Sequence, residues 1–148
     1  MPEPPGDTYG VRRLTELYRE WTASGMVANI GTRLIEVAEG RLVLEGNLTA
    51  EAHGFPTSLG PVVHGGALAT LADEALASVA FTAAREGETT ATADLKVDFL
   101  RPAIPGRLIA RARLKHRTGR LAFCEASVEQ ADGQVVVEAR ALIAYVKV

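Results

Sequence analysis

The chain has 148 residues, 47% of them hydrophobic and 23% charged, enough for one well-filled core and too few for two ordinary domains. Its formal charge is −2 and its basic residues are spread along the chain, which leaves no electrostatic footprint for nucleic acid. No run approaches the ~20 apolar residues of a membrane span, and the acidic, proline-rich start Met1-Pro2-Glu3-Pro4-Pro5-Gly6-Asp7 lacks the basic and apolar regions of a signal peptide, so a cytoplasmic location and no membrane partner are expected.

In chain order, the first expected element is an amphipathic helix over Tyr9 to Thr22. Val11, Leu14, Leu17, Tyr18 and Trp21 recur at helical spacing, with Asp7 or Thr8 as cap. From Ala28 to Thr49, alternation around Glu39-Gly40 reads as two strands and a hairpin. Residues 50–63 hold His53-Gly54-Phe55-Pro56 and Leu59-Gly60-Pro61, which are loop signals. A long helix is expected from about Gly65 to Arg85. Strands follow at about Thr89 to Leu100, Arg107 to His116, Arg120 to Gln130 and Gln134 to Val146, joined by a bend at Pro102 to Gly106, a tight turn at Thr118-Gly119 and a hairpin at Asp132-Gly133. This order predicts an α+β fold in which a single curved antiparallel β-sheet wraps around a long central helix. One domain spanning 1–148 is expected, with residues 1–24 as an N-terminal tail and helix.

The segment with most chemical content is Val62-Val63-His64-Gly65-Gly66-Ala67-Leu68-Ala69-Thr70-Leu71-Ala72-Asp73-Glu74-Ala75. Two glycines free the backbone where a helix begins, and the first amides of a helix have no partner within it, so its N-terminus is a ready site for an oxyanion. At 100° per residue, Leu68, Leu71, Ala72, Ala75 and Val79 face a core, while Asp73 borders that stripe among Gly66, Ala69, Ala77 and Ala80, small neighbours that leave room for a substrate. Glu74 falls on the line of Thr70, Ser78 and Arg85, where a solvated position with an ion pair accounts for it. Cys124, the single cysteine, excludes an internal disulfide and sits in the apolar run Leu121-Ala122-Phe123-Cys124, which favours a buried small hydrophobe over a nucleophile. The histidines His53, His64 and His116 are scattered without ligand spacing, so no metal is expected.

The sequence resembles the hotdog-fold acyl-CoA thioesterases, and within them the group similar to the phenylacetate-pathway thioesterase PaaI. The resemblance covers roughly residues 28–147. It rests on Val63-His64-Gly65-Gly66 followed by Thr70-Leu71-Ala72-Asp73, and on Thr92-Ala93-Asp94-Leu95-Lys96-Val97-Asp98-Phe99-Leu100-Arg101-Pro102-Ala103, a strand running into a proline turn. It implies hydrolysis of an acyl-CoA thioester to a carboxylic acid and CoA, with no cofactor beyond the CoA carried by the substrate. Asp73 is then the catalytic carboxylate, as nucleophile or as general base. The amide of Gly65 would stabilise the oxyanion, His64 would shape the turn, and Thr92, contributed by a partner subunit, would orient the water or the carboxylate. The family often places an asparagine six residues before the histidine, and here that position is Ser58, a shorter donor. Arg101, Arg117 and Arg120, near the turns at Pro102 and Thr118-Gly119, are the candidates for binding the CoA phosphates. The family assembles as homodimers or homotetramers with shared active sites, which the apolar final strand is compatible with.

Two other readings use the same fold. One is an acyl-CoA binding or sensing module without turnover, against which the acid at position 73 argues. The other is a dehydratase or hydratase acting on an acyl thioester, which would pair a catalytic histidine with a carboxylate, whereas His64 is held in a Gly-Gly turn.

Overall fold

A computed structural model describes residues 8–148. Helix α1 (Tyr9–Trp21) is capped by Thr8, whose hydroxyl accepts from the Val11 amide at 3.4 Å; Asp7, the alternative cap, lies outside the described residues. Two short helices, α2 (Gly25–Asn29) and α3 (Ala50–His53), flank the hairpin of β1 (Arg33–Ala38) and β2 (Arg41–Leu48). A two-residue ladder, β3 (Gly54–Phe55) with β4 (Val62–Val63), leads into the central helix α4 (Gly65–Phe81). Four long strands complete the chain: β5 (Glu88–Phe99), β6 (Gly106–Arg117), β7 (Leu121–Gln130) and β8 (Val135–Lys147).

The long strands and the first hairpin form one six-stranded antiparallel sheet in the order β1-β2-β6-β7-β8-β5. Helix α4 lies against β2, β5, β6, β7 and β8, as the expected wrapped sheet requires. Leu68, Leu71, Ala72, Ala75, Leu76, Val79 and Ala80 are buried on the helix, and Leu44, Leu108, Ala110, Ala122, Val128, Val137 and Ile143 are buried on the sheet. Alternation along the strands sends the charged residues to the other face, where Arg111 meets Glu129 and Arg113 meets Glu125.

Helix α1 packs on α4 and β1 through Val11, Leu14 and Tyr18, while Trp21 at its end is partly exposed. Its first turn crosses the end of α4 so closely that a Cβ on Gly10 would lie 2.3 Å from the Phe81 carbonyl oxygen and 2.4 Å from that of Thr82. Helix α4 stops at Phe81, four residues before Arg85. Thr82 turns its hydroxyl to the Val79 carbonyl at 2.6 Å and accepts the Gly40 amide at 2.8 Å, so the chain leaves the helix tied to the β1–β2 turn.

Candidate active site

The entrance to α4 is built by hydrogen bonds that leave one donor over. His64 is the N-cap, with extended backbone (φ −60°, ψ 134°), and its Nδ1 accepts the Gly66 amide at 2.9 Å. That geometry requires a neutral ring with its proton on Nε2. The His64 carbonyl accepts the amides of Ala67 at 2.9 Å and Leu68 at 3.2 Å. In this first turn the Gly65 N–H alone has no hydrogen-bond partner among the described residues. Gly66 makes room for the cap, because a Cβ there would lie 3.0 Å from His64 Nδ1.

The segment entering α4 is anchored on both sides. The Val63 amide donates to the Ala103 carbonyl at 2.7 Å, and the His64 amide to the His53 carbonyl at 2.7 Å. His53 is itself a buried pin: its Nδ1 accepts the Thr49 amide at 3.0 Å, which leaves Nε2 to donate to Asn29 Oδ1 at 2.8 Å. Nothing in the sequence separated His53 from a loop histidine, since Asn29 lies 24 positions away.

Asp73 lies in the middle of α4, half-buried, and its Oδ1 accepts the Thr92 hydroxyl at 2.7 Å. Thr92 sits on the edge strand β5 at a bulge between Thr92 and Asp94 that breaks the regular register against β8. The two residues meet within one chain, so the expectation that a partner subunit brings Thr92 to the acid is corrected: β5 packs on α4 of the same molecule. Ala80, expected beside the carboxylate, is fully buried in the core.

Glu74 also departs from expectation. It is half-buried, makes no ion pair to a described residue, and accepts the Tyr18 hydroxyl at 2.8 Å, with Ser78 Oγ 3.0 Å from the same hydroxyl. Burial pushes its carboxyl above the ordinary glutamate range, against the lowering effect of the nearby Tyr18 and Thr32 hydroxyls. Burial likewise pushes the Tyr18 phenol up. This cluster joins α1 to α4 and points away from a site role. Cys124 is buried and its thiol is pushed up to about 12 by desolvation, in keeping with an inert core residue.

Of the three arginines expected to bind phosphates, Arg117 is engaged elsewhere. It donates to both oxygens of Glu88 at 2.9 Å and to the Ala83 carbonyl, and its Cζ lies 3.6 Å over the Tyr145 ring, with only 12% of the side chain exposed. A guanidinium so committed and so little exposed is not placed to hold a phosphate. Arg101 is exposed and donates to the Val135 carbonyl at 2.8 Å, and Arg120 is exposed at the turn before β7. Arg101 lies two residues beyond the last residue of β5 whereas Arg117 contacts its first, so they stand at opposite ends of a 12-residue strand, about 35 Å apart along it. Ser58 lies in an exposed turn closed by Thr57 and Gly60, with Leu59 at its tip, and its hydroxyl bonds no described residue. An open depression of about 720 Å³ lies on the charged outer face of the sheet between Lys96, Arg111, Glu125 and Glu138, and Asp73 is not part of its lining. Among the described residues, no three His, Cys, Asp or Glu side chains are grouped to hold a metal ion, and no helix is long and apolar enough to cross a membrane.

A six-stranded antiparallel sheet around an alanine-rich helix, with a free amide at the helix entrance and a hydroxyl-bonded carboxylate at its middle, defines a hotdog-type thioesterase architecture. Residues 60–137, just over half of the chain, match the model of the Thioesterase superfamily, and the chain belongs to that superfamily. The match spans the His-Gly-Gly entrance, Asp73 and Thr92, and thioester hydrolysis is the general activity that goes with it. A phenylacetic acid degradation-related protein from Ralstonia eutropha JMP134 is 27% identical with a TM-score of 0.76, covering 88% of this chain and 98% of its own. Two further solved structures share the fold. A thioesterase family protein from Silicibacter pomeroyi is 23% identical with a TM-score of 0.78, covering 91% of this chain and 99% of its own. The E. coli PaaI protein from the phenylacetic acid degradation operon is 22% identical with a TM-score of 0.78, covering 93% of this chain and 94% of its own. None of the curated proteins matches the chain by sequence.

Proposed function

We propose that the protein hydrolyses an acyl-CoA thioester to a carboxylic acid and free CoA, in a site shared between two copies of the chain. The observation that carries this reading is the Asp73–Thr92 pair, a carboxylate fixed on one oxygen at 2.7 Å and open on the other. The free Oδ2 takes a proton from an attacking water, or attacks the carbonyl itself to give an anhydride that water then opens. In either route the carbonyl oxygen gains negative charge and the Gly65 amide, oriented by the His64 cap, donates to it. The sulfur leaves as the CoA thiolate and takes up a proton.

Gly65 and Asp73 are eight residues apart on one helix, or about 12 Å along its axis. That span exceeds what one carbonyl bridges between an amide at about 3 Å and a water-activating base. The amide serving a given Asp73 therefore comes from a second chain, in a homodimer or in a tetramer of two such dimers. Ser58, on the loop leading to Gly65, would stand on the amide's side of this composite site, and Arg101 and Arg120 are the exposed arginines available to CoA phosphates. The phenylacetic-acid-linked structural neighbours support including aryl acyl groups among the substrates. A cytoplasmic location and a single domain complete the reading.

The test is release of free thiol from phenylacetyl-, hydroxybenzoyl- and straight-chain acyl-CoAs. Wild type is expected to turn over at least one of them, and Asp73→Ala to remain folded and assembled without turnover. Full activity in the variant would remove Asp73 from the chemistry, while saturable binding with no release by wild type would make the protein a binding module. A single turnover in ¹⁸O-water that labels the Asp73 carboxylate establishes the anhydride route with water opening the anhydride at the Asp73 carbon, since general-base attack puts the label in the product acid alone.

A further inference from the structure

An aromatic ring stands beside the Gly65 amide, which has no hydrogen-bond partner among the described residues. A Cβ built on Gly65 would lie 3.4 Å from Phe99 Cε1 and 3.5 Å from its Cζ, so the ring is in van der Waals reach of the backbone that carries the unpaired N–H. The end of β5 is fixed at three consecutive residues. Phe99 pairs with Val137, the Leu100 amide donates to the Val136 carbonyl at 2.9 Å, and the Arg101 guanidinium to the Val135 carbonyl at 2.8 Å. Behind the ring's neighbourhood, Val63 and Ala103 are buried and joined by their backbone hydrogen bond. Phe99 itself is 52% exposed, a large apolar surface held in place next to an oxyanion donor.

We propose that Phe99 is a specificity-determining residue, its ring forming the wall against which the first carbons of the acyl group bear when the thioester oxygen accepts from the Gly65 N–H. This rests on the thioesterase reading above. An oxygen about 2.9 Å from the amide nitrogen brings its carbonyl carbon to roughly 4 Å from that nitrogen. The ring lies 3.4–3.5 Å from the Cβ position of the same residue, so it flanks the amide and is offered to one of the two diverging substituents of that carbon. The pantetheine arm carries amides that a phenyl ring leaves unsatisfied, whereas apolar acyl carbons, and an aryl group above all, gain contact with it. The site is therefore selective for acyl groups that are apolar next to the thioester, and a carboxyl or hydroxyl at that position is disfavoured.

The experiment compares kcat/KM of wild type, Phe99→Leu and Phe99→Ala for propionyl-, hexanoyl- and phenylacetyl-CoA, with inhibition by free CoA and the mass of the assembly measured alongside. Phe99→Ala is expected to lower the phenylacetyl-to-propionyl ratio roughly tenfold, with Phe99→Leu between, and to leave CoA inhibition and assembly mass unchanged. Equal loss on all three substrates overturns the proposal, as does a change in CoA inhibition that matches the change in KM. A shift in assembly mass at constant selectivity also overturns it, since the ring would then belong to the contact between chains. If wild type releases thiol from no acyl-CoA at all, the thioesterase reading itself fails, an outcome distinct from an active enzyme with unmoved selectivity.

Discussion

Replacing Thr92 by valine removes one hydroxyl and keeps the β-branched shape that suits an edge strand. That hydroxyl donates at 2.7 Å to Asp73, and no other described group donates to the carboxylate. A hydrogen bond to a charged group contributes about 1.5–3 kcal/mol. Thr92 is exposed and Asp73 half-buried within one chain, so solvent screening places this bond at the lower end, about 1.5 kcal/mol, equivalent to roughly a tenfold change. The orientation it enforces matters when the acid meets water or carbonyl, and not when CoA binds. Steady-state thiol release by Thr92→Val is therefore expected to show kcat about tenfold down with KM little changed, and Thr92→Ser to recover most of the loss. A valine variant with wild-type kcat, or a serine variant as poor as valine, would refute the orienting role.

Three further outcomes test the structural readings. Arg117→Met leaves Glu88 charged in a position where only 14% of its side chain is exposed; burial raises the Glu88 carboxyl, yet the Arg85 amide and Arg117 guanidinium hold it below the ordinary range. Loss of that guanidinium is expected to cost about 2 kcal/mol or more, seen as a lower thermal midpoint, with KM for acyl-CoA unchanged; an intact midpoint with a raised KM would return Arg117 to the phosphate site. Glu74 has a raised pKa, so the folded chain takes up its proton before the unfolded chain does, and the wild type gains stability relative to Glu74→Gln as pH falls from neutral toward the ordinary glutamate range. Thermal midpoints of the two proteins that stay parallel across that window would disprove the burial of the charge. Gly10→Ala forces a methyl within 2.3–2.6 Å of backbone atoms at Phe81 and Thr82, and is expected to destabilise the chain by about 1–3 kcal/mol in denaturant titration, where a silent substitution would mean α1 is not seated on α4.

What the sequence made legible was whatever short-range pattern carries. Helix α4 could be read because glycines open it and apolar residues recur at helical spacing for four turns, and β6, β7 and β8 because period-two alternation and the turn at Asp132-Gly133, with Gly133 at φ 88°, mark their ends. Helices α2 and α3 were not legible, being one turn each and without a face of their own. The errors at the site share one cause. Glu74 was read as solvated because its partner Tyr18 is 56 positions away, and Arg117 as a free cation because Glu88 is 29 positions away. Thr92 was assigned to another subunit although only 19 positions and one turn of sheet onto helix separate it from Asp73. Spacing identifies which residue types carry chemistry, but which neighbours neutralise or orient them depends on the layer that the fold lays over them.

The spacing within α4 also sets what one chain can accomplish. Gly65 and Asp73 differ by eight helical steps, a rise of about 12 Å with a rotation of about 80°, so the free amide and the acid face different surroundings on the same rod. A helix that held both at one carbonyl would need them a single turn apart, and then the capping imidazole of His64 would crowd the carboxylate. Separation lets the N-terminus remain hydrogen-bonded by His64 while the middle of the helix is small enough for β5 to deliver Thr92. The strand that orients the acid is the last in the sheet order, with one side of its backbone unpaired along much of twelve residues. On the shared-site reading, the strand that completes one half of the chemistry is thus also the strand free to pair with a second copy that supplies the other half. Loss of that pairing would then silence an enzyme whose every chain is still correctly folded.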